Sequence, residues 1–600
     1  MVLAEYTYVF AIGTIFALLE AYNNGANDVA NSWATSVSSR SISYRMAMVC
    51  ALVFELLGAL TVGARTASTI KDGIISASSF QGNPGVQLLA FACAAAGAAT
   101  WVMWCSRNNV TVSSTYALVS SLIGVGIATG GTKGVKWSWN NGKGVGAIFA
   151  GLLMAPAISA CFGAIIFTLI KVTVHMRKDP LPWAVWTSPF FFLIAGTVCT
   201  LSVVYKGSPR LGLSSKPAWY IASVTVGVGV GLCLLSAIFF LPFVHAKVVK
   251  KDNTLKWWEI IKGPLLWSRP APEGALEAKV PNFAVIQHDE DDVEETSAPV
   301  SKGVRQDVTD AEAEAEASSE KAAIQREITQ EDYNVLMAQA LEKHHAKLRT
   351  KKNPLGWAMR YLHAHPMGAG SIHEINNLVN FVKRIPAIII VAAMYGTHYD
   401  IHTAQVGVEG TPEGKRMERT YAYAPKYSNE VEYLYSFVQV ITACTASFAH
   451  GANDVGNAVG IWAGMYAAWS TGRLAAATED VPLWQIAVMV LTLILGFVTY
   501  GYNIMKVMGN KITYHSPSRG SSMEMGAAIT VLVFSQYKLP VSTTMCITGA
   551  TVGVGLCSHW RAVNWKRVLL VVFSWFMTIP IAGLIGGCTM ALALNAPHFA

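Results

Sequence analysis

Long uninterrupted apolar runs organise this chain. They fall at 6–24, 46–63, 86–105, 112–131, 145–171, 187–205, 218–245, 383–398, 433–463, 483–504, 522–537, 541–558 and 567–594. A bilayer core is crossed by about 20 apolar residues in helix, and some of these runs are short or broken. The pattern predicts about 12 transmembrane helices, some of them broken or re-entrant. The runs do not alternate in ten-residue pieces, which excludes a β-barrel, and a lone segment in lipid satisfies its backbone only as a helix. The expected fold is an all-α polytopic membrane protein. No basic stretch precedes the first run and no small-residue cleavage site follows it, so it reads as a retained helix and not a signal peptide.

One segment breaks the pattern. Residues 247–380 hold 17 basic and 21 acidic side chains, 38 of the 82 charges in the 600-residue chain. Its stretches DEDDVEE (289–295) and AEAEAEA (311–317) bury too little apolar surface to order themselves. Residues 320–349 carry the charge and Ala/Leu content of a helix. Three parts follow: a membrane half at 1–246, a hydrophilic, partly disordered loop at 247–380, and a second membrane half at 381–600. Lys247, Lys250 and Lys251 open the loop, and Lys351 and Lys352 lie near its close, which places it on the cytoplasmic side. Arg40, Arg45, Arg177 and Lys178 agree, whereas Lys206, Arg210 and Lys216 would then face out. Trp257, Trp258, Trp267 and Trp357 at the loop's basic flanks suit the headgroup surface.

Composition narrows the function classes. Only 14% of the residues are charged, against about 25% in a soluble domain, which excludes a plain soluble enzyme. Ten Cys, mostly in or near apolar runs, do not make a disulfide scaffold. No cofactor motif, transition-metal spacing, phosphate-binding P-loop or nucleophile–base pair is visible, so the chain is not read as an enzyme, and nothing points to nucleic acid.

The two membrane halves repeat each other. Residues 25–32 read GANDVANS and 451–458 read GANDVGNA, an offset of 426. Residues 111–116 read TVSSTY and 540–545 read PVSTTM, an offset of 429. Two unlike motifs recur in one order at nearly one separation. Internal repeats of this kind mark secondary transporters, with the substrate at the repeat interface.

Each motif has a chemistry. Asp28 and Asp454, beside long apolar runs, need partners, because a carboxylate at membrane depth costs about 2.5–3.5 kcal/mol. With Asn27 and Asn453 they offer hard oxygen ligands for Na⁺, and Gly25 and Gly451 allow an unwound backbone whose carbonyls add more. The alternative is that Asn–Asp caps a helix. Ser113, Ser114, Thr115, Ser542, Thr543 and Thr544 supply hydroxyls, and Pro540 suits a first helical turn. Two half-helix N-termini with hydroxyls and free N–H groups would hold a tetrahedral oxyanion. The alternative is hydroxyls bonded back to their own helices. Glu55 and Glu524 read as the other acids inside spans and as coupling candidates, or as carboxylates that snorkel or stay protonated.

These motifs, with the closing stretch from Pro580 to Asn595-Ala-Pro, resemble the inorganic phosphate transporter family, and within it the fungal sodium/phosphate symporters and phosphate-repressible phosphate permeases. The resemblance covers both membrane halves. It implies phosphate import driven by Na⁺ at the plasma membrane. It implies Na⁺ binding at Asn27, Asp28, Asn453 and Asp454, and phosphate binding at the six hydroxyl residues. It also implies transport roles for Glu55 and Glu524. The family pattern PVSTTH is altered to TVSSTY in the first half, and the second half ends in Met545. An H⁺-coupled oxyanion symporter and a phosphate sensor using the same site are the other readings. The sequence leaves open whether the chain acts alone or as a homodimer.

Overall fold

The computed structural model describes residues 2–63, 67, 70, 73–139, 144–207, 211–213, 216–270, 330–368, 371, 374–399, 401, 412–476, 481–506, 508, 511–537, 539 and 541–596. Among these residues the regular elements are helices, save one isolated bridge between Ile75 and Val135. The chain divides into two units, one of residues 1–284 with 423–600 and one of residues 285–422.

In the first unit α1 (Thr7–Asn24) runs through a π-turn at Gly25–Val29 into α2 (Ala30–Ser38). Then come α3 (Tyr44–Gly58), α4 (Pro84–Arg107), α5 (Ser114–Gly130), α6 (Val145–Ile170), α7 (Pro180–Thr187), α8 (Pro189–Lys206), α9 (Ala218–Leu235) and α10 (Leu241–Val244). The second unit holds α11 (Gln330–Thr350), α12 (Pro354–Ala364), α13 (Ile375–Met394) and α14 (Pro412–Ala422). The first unit resumes with α15 (Asn429–Thr471), α16 (Leu483–Met505), α17 (Pro517–Gln536), α18 (Thr543–Leu556) and α19 (Trp565–Asn595). Among the described residues ten helical stretches are long and apolar enough to cross a bilayer. The protein is an all-α polytopic membrane protein.

The predicted runs map onto these helices with informative differences. The run at 433–463 is the middle of the 43-residue α15, whose buried side chains include many polar ones. The runs at 522–537 and 541–558 become α17 and α18, and α18 has only 14 residues. At 1.5 Å per residue it spans about 21 Å, short of a full crossing. In the second unit α11 packs on α12 and α12 on α13. The helix expected over 320–349 is seen from Gln330 to Thr350. The acidic stretches 289–295 and 311–317 lie outside the described residues. Trp257 and Trp258, expected at the headgroups, are exposed on a 3₁₀ turn over Trp257–Leu266.

The repeat is visible as a helix correspondence: α1–α2 with α15, α3 with α16, α4 with α17, α5 with α18 and α6 with α19. The two sets do not form separate bundles. The α1–α2 run packs on α16 of the other set, and α15 packs on α3. Likewise α5 packs on α19 and α18 on α6. Glycine makes these crossings close, as small residues do wherever membrane helices meet. A Cβ on Gly25 would lie 1.7 Å from the Leu493 carbonyl oxygen, and one on Gly451 would lie 2.3 Å from that of Glu55. The motif glycines therefore serve helix approach. The backbone does not unwind at either motif: the first copy is a π-turn inside a continuous helix, and the second is regular α-helix.

Candidate functional site

Asp28 and Asp454 sit inside long helices, well away from the ends, so the capping alternative fails for both. Both are almost fully buried. Each half also holds a hairpin, α4–α5 or α17–α18, whose tip points a helix N-terminus at these acids. The N-termini of α5 and α18 are built alike. Ser113 Oγ accepts from the Tyr116 N–H at 3.2 Å, and Ser542 Oγ accepts from the Met545 N–H at 3.2 Å. These two serines are N-caps, each occupying one of the free N–H groups of its helix. Since α18 begins at Thr543, Pro540 precedes the cap, and it lies outside the described residues.

The remaining hydroxyls bind the acids, and they do so across the repeat. Thr544 Oγ1 donates to Asp28 Oδ1 at 2.5 Å, and Thr115 Oγ1 donates to Asp454 Oδ1 at 2.8 Å. Within each half, the Ser114 N–H donates to Asp28 Oδ2 at 3.3 Å and Thr543 Oγ1 to Asp454 Oδ2 at 2.5 Å. The two acids thus have matching surroundings, each built from both repeats. Asn27 holds the first tip: its Nδ2 donates to Ser106 Oγ at 3.0 Å and the Val110 carbonyl at 3.3 Å, and its Oδ1 accepts from the Val112 N–H at 3.3 Å. Asn453 Nδ2 donates to the Val541 carbonyl at 2.5 Å and to Asp454 Oδ1 at 2.9 Å. Ser114 Oγ accepts from Asn24 Nδ2 at 2.9 Å, and Thr115 Oγ1 accepts from Asn457 Nδ2 at 2.9 Å.

Three amide oxygens in this region, Asn24 Oδ1, Asn453 Oδ1 and Asn457 Oδ1, are buried with no donor facing them. An unsatisfied buried acceptor costs about 1–3 kcal/mol. Amide and carboxylate oxygens are of the hard type that a small cation takes as ligands.

The two glutamates stand in different places. Glu55 on α3 accepts from Ser447 Oγ at 2.8 Å and lies 2.7 Å from His450 Nδ1, whose Nε2 is 3.3 Å from Asp454 Oδ2. Glu55 is thereby joined to the second acid through one imidazole. Glu524 on α17 accepts from Thr35 at 2.6 Å, Gln439 at 3.0 Å and Thr442 at 2.7 Å, and from Ser36. Ser36 lies two turns beyond Asp28, about 12 Å along the helix, so Glu524 stands apart from the paired acids and ties α2, α15 and α17 together.

His450, Asn24, Asn457 and Glu20 escaped the sequence reading. His450 and Asn24 directly precede the two glycines of the repeated motif, which is where aligning the copies shows them. Glu20 is a further acid inside a span, almost fully buried, and Glu432 at the start of α15 is another, accepting from the Ser518 N–H and Oγ at 2.8 and 2.7 Å. Glu55 and Glu524 are therefore not the only other buried acids.

The family model described as the phosphate transporter family matches residues 24–586, which includes both copies of each repeated motif, Glu55 and Glu524. The chain belongs to the phosphate transporter family. It is 37% identical to the phosphate-repressible phosphate permease of Neurospora crassa over all of this chain and 99% of that one. It is 27% identical to the sodium-dependent phosphate transporter 2 of Felis catus, covering 99% of each, and 26% identical to the sodium-dependent phosphate transporter 1-B of Danio rerio, covering 98% of this chain and 96% of that one. A solved structure of a sodium-dependent phosphate transporter superposes with a TM-score of 0.60 over 98% of this chain and all of that one, at 20% identity. That likeness shows the fold alone. For this family member, the resemblance read from the doubled GANDV motif holds.

Proposed function

We propose that this protein imports inorganic phosphate by symport with Na⁺ through alternating access, at the plasma membrane. Na⁺ binds at Asp28 and Asp454 with oxygens of Asn27 and Asn453, and phosphate is held by Ser114, Thr115, Thr543 and Thr544 at the α5 and α18 N-termini, which Ser113 and Ser542 cap. The observation that carries this reading is the crossed pair Thr544–Asp28 and Thr115–Asp454.

The pairing suggests how the ions are coupled. In the described arrangement the carboxylates take the hydroxyls and the Ser114 N–H that an anion would need. A Na⁺ ion on each carboxylate competes for the same oxygen lone pairs. The hydroxyls then turn their protons toward the anion, and the two helix N-termini add positive dipole ends. Na⁺ raises phosphate affinity, and by linkage phosphate raises Na⁺ affinity by the same factor. Because each acid draws donors from both repeats, filling the site changes contacts between the repeats, which is where a carrier of this kind moves.

The H⁺-coupled reading has one observation in its favour. His450 joins Glu55 to Asp454, while the first repeat has Asn24 at the matching place. Phosphate uptake with Na⁺ replaced by choline at fixed pH decides between them. Loss of uptake supports Na⁺ coupling, and full retention contradicts it.

A further inference from the structure

A cleft of about 380 Å³ lies between α4, the tip loop of the first hairpin and α19, in the size range of small-molecule pockets. Its lining is largely apolar, with Trp101, Trp104, Val110, Leu570, Phe573 and Ile581 prominent. Trp104, Leu570 and Phe573 are 54%, 53% and 60% exposed. On membrane-crossing helices such side chains face hydrocarbon, so the cleft opens toward lipid.

Its polarity runs lengthwise. Arg567 is the one charged residue of the lining, and Ile581 lies 14 residues further along α19, about 21 Å at helical rise. Arg567 is at the start of α19, beside the exposed Trp560 and Trp565. Tryptophan with basic residues at a helix end marks the headgroup level. Asn109 and Thr111 of the hairpin tip add polar residues to the lining. A charged end and a long apolar body match a phospholipid: phosphate and acyl chain.

The cleft also backs onto the substrate loop. Ser574 Oγ donates to the Thr111 carbonyl at 3.0 Å, tying the loop to α19. On the loop's other side the Val110 carbonyl and Val112 N–H hold Asn27. We infer that this cleft binds one acyl chain of an anionic phospholipid, with Arg567 on the headgroup phosphate, and that its occupancy steadies the loop carrying the first-half hydroxyl motif.

The test uses the full chain reconstituted in nanodiscs of phosphatidylcholine with or without phosphatidylserine, with retained lipid read by native mass spectrometry. The wild type and Lys566→Gln, whose basic residue is not part of the lining, retain phosphatidylserine. Arg567→Gln, which removes a charge-assisted contact, and Met577→Trp, which fills the cleft, retain about tenfold less. Ile581→Phe fills the far end and repeats the loss if Met577→Trp does not fold. Equal retention by Arg567→Gln and Lys566→Gln, or undiminished retention by a folded filling variant, overturns the site. Phosphatidylserine raises phosphate uptake by the wild type and leaves the filled variant unchanged. Wild-type uptake indifferent to it overturns the link to the loop. Lipid retention is read without transport, so it stands or falls independently of the proposed symport.

Discussion

Asp28 and Asp454 each take a threonine hydroxyl from the opposite repeat, and the behaviour of these four side chains follows from their burial. Replacing Thr115 or Thr544 with Val leaves a buried carboxylate oxygen short of one donor, a loss of about 1–3 kcal/mol. Either variant is expected to lower the rate of Na⁺-dependent phosphate uptake by about tenfold or more, whereas the Ser variants keep most of it. Asp28→Asn and Asp454→Asn keep the shape and remove the negative charge on which the proposed Na⁺ sites depend, and uptake is expected to lose its dependence on external Na⁺. Initial rates over a Na⁺ series check both. Glu524→Gln turns an acceptor with four donors into a group with its own N–H hydrogens facing them. Destabilisation of about 1–3 kcal/mol follows, read as a lower unfolding temperature in detergent. At this scale the sequence showed the acids and hydroxyls because they are duplicated. It did not show which hydroxyl faces which acid, since that crossing is made by tertiary packing. His450 is not itself duplicated, since its equivalent in the first repeat is Asn24, and only its place directly before Gly451 of the repeated motif points to it.

The helices were legible as apolar runs, and their chemistry was legible only in part. By sequence Ser113 and Ser542 are two of six equivalent hydroxyl residues, whereas in the structure they cap α5 and α18. Their N-cap role was hidden because helix starts cannot be placed to the residue inside an apolar run. Gly25 and Gly451 allow unwinding by residue type, yet both helices continue through them. The glycines are there because a neighbouring carbonyl passes where a Cβ would stand, and nothing local in the sequence reports such an approach. Gly25→Ala is therefore expected to push α16 off the α1–α2 run, and Gly451→Ala to push α3 off α15. Overpacking of this kind typically costs about 1–3 kcal/mol. Both variants should show lower yield and melting temperature, with Gly25→Ala the worse because its Cβ would come closer, 1.7 Å against 2.3 Å. Thermal unfolding by scanning fluorimetry gives the comparison.

At the scale of the molecule the repeats are interlaced: α3 lies on α15, α16 on the α1–α2 run, α5 on α19 and α18 on α6. The sequence announced two halves joined by a charged tether and could not announce that they exchange partners. Interlacing predicts that neither half folds alone. Fragments separated within residues 290–320 should each be degraded when expressed singly, and should restore uptake when expressed together. Stable accumulation of either fragment alone would count against the interlaced packing. The symport proposed above rests at this scale on the two acids sharing donors from both repeats. The most direct measurement is radiolabelled phosphate uptake by the purified protein in vesicles, with an inward Na⁺ gradient, with equal Na⁺ on both sides, and with choline in place of Na⁺. Phosphate should accumulate above equilibrium only with the inward Na⁺ gradient. Equal accumulation under all three conditions would contradict the account.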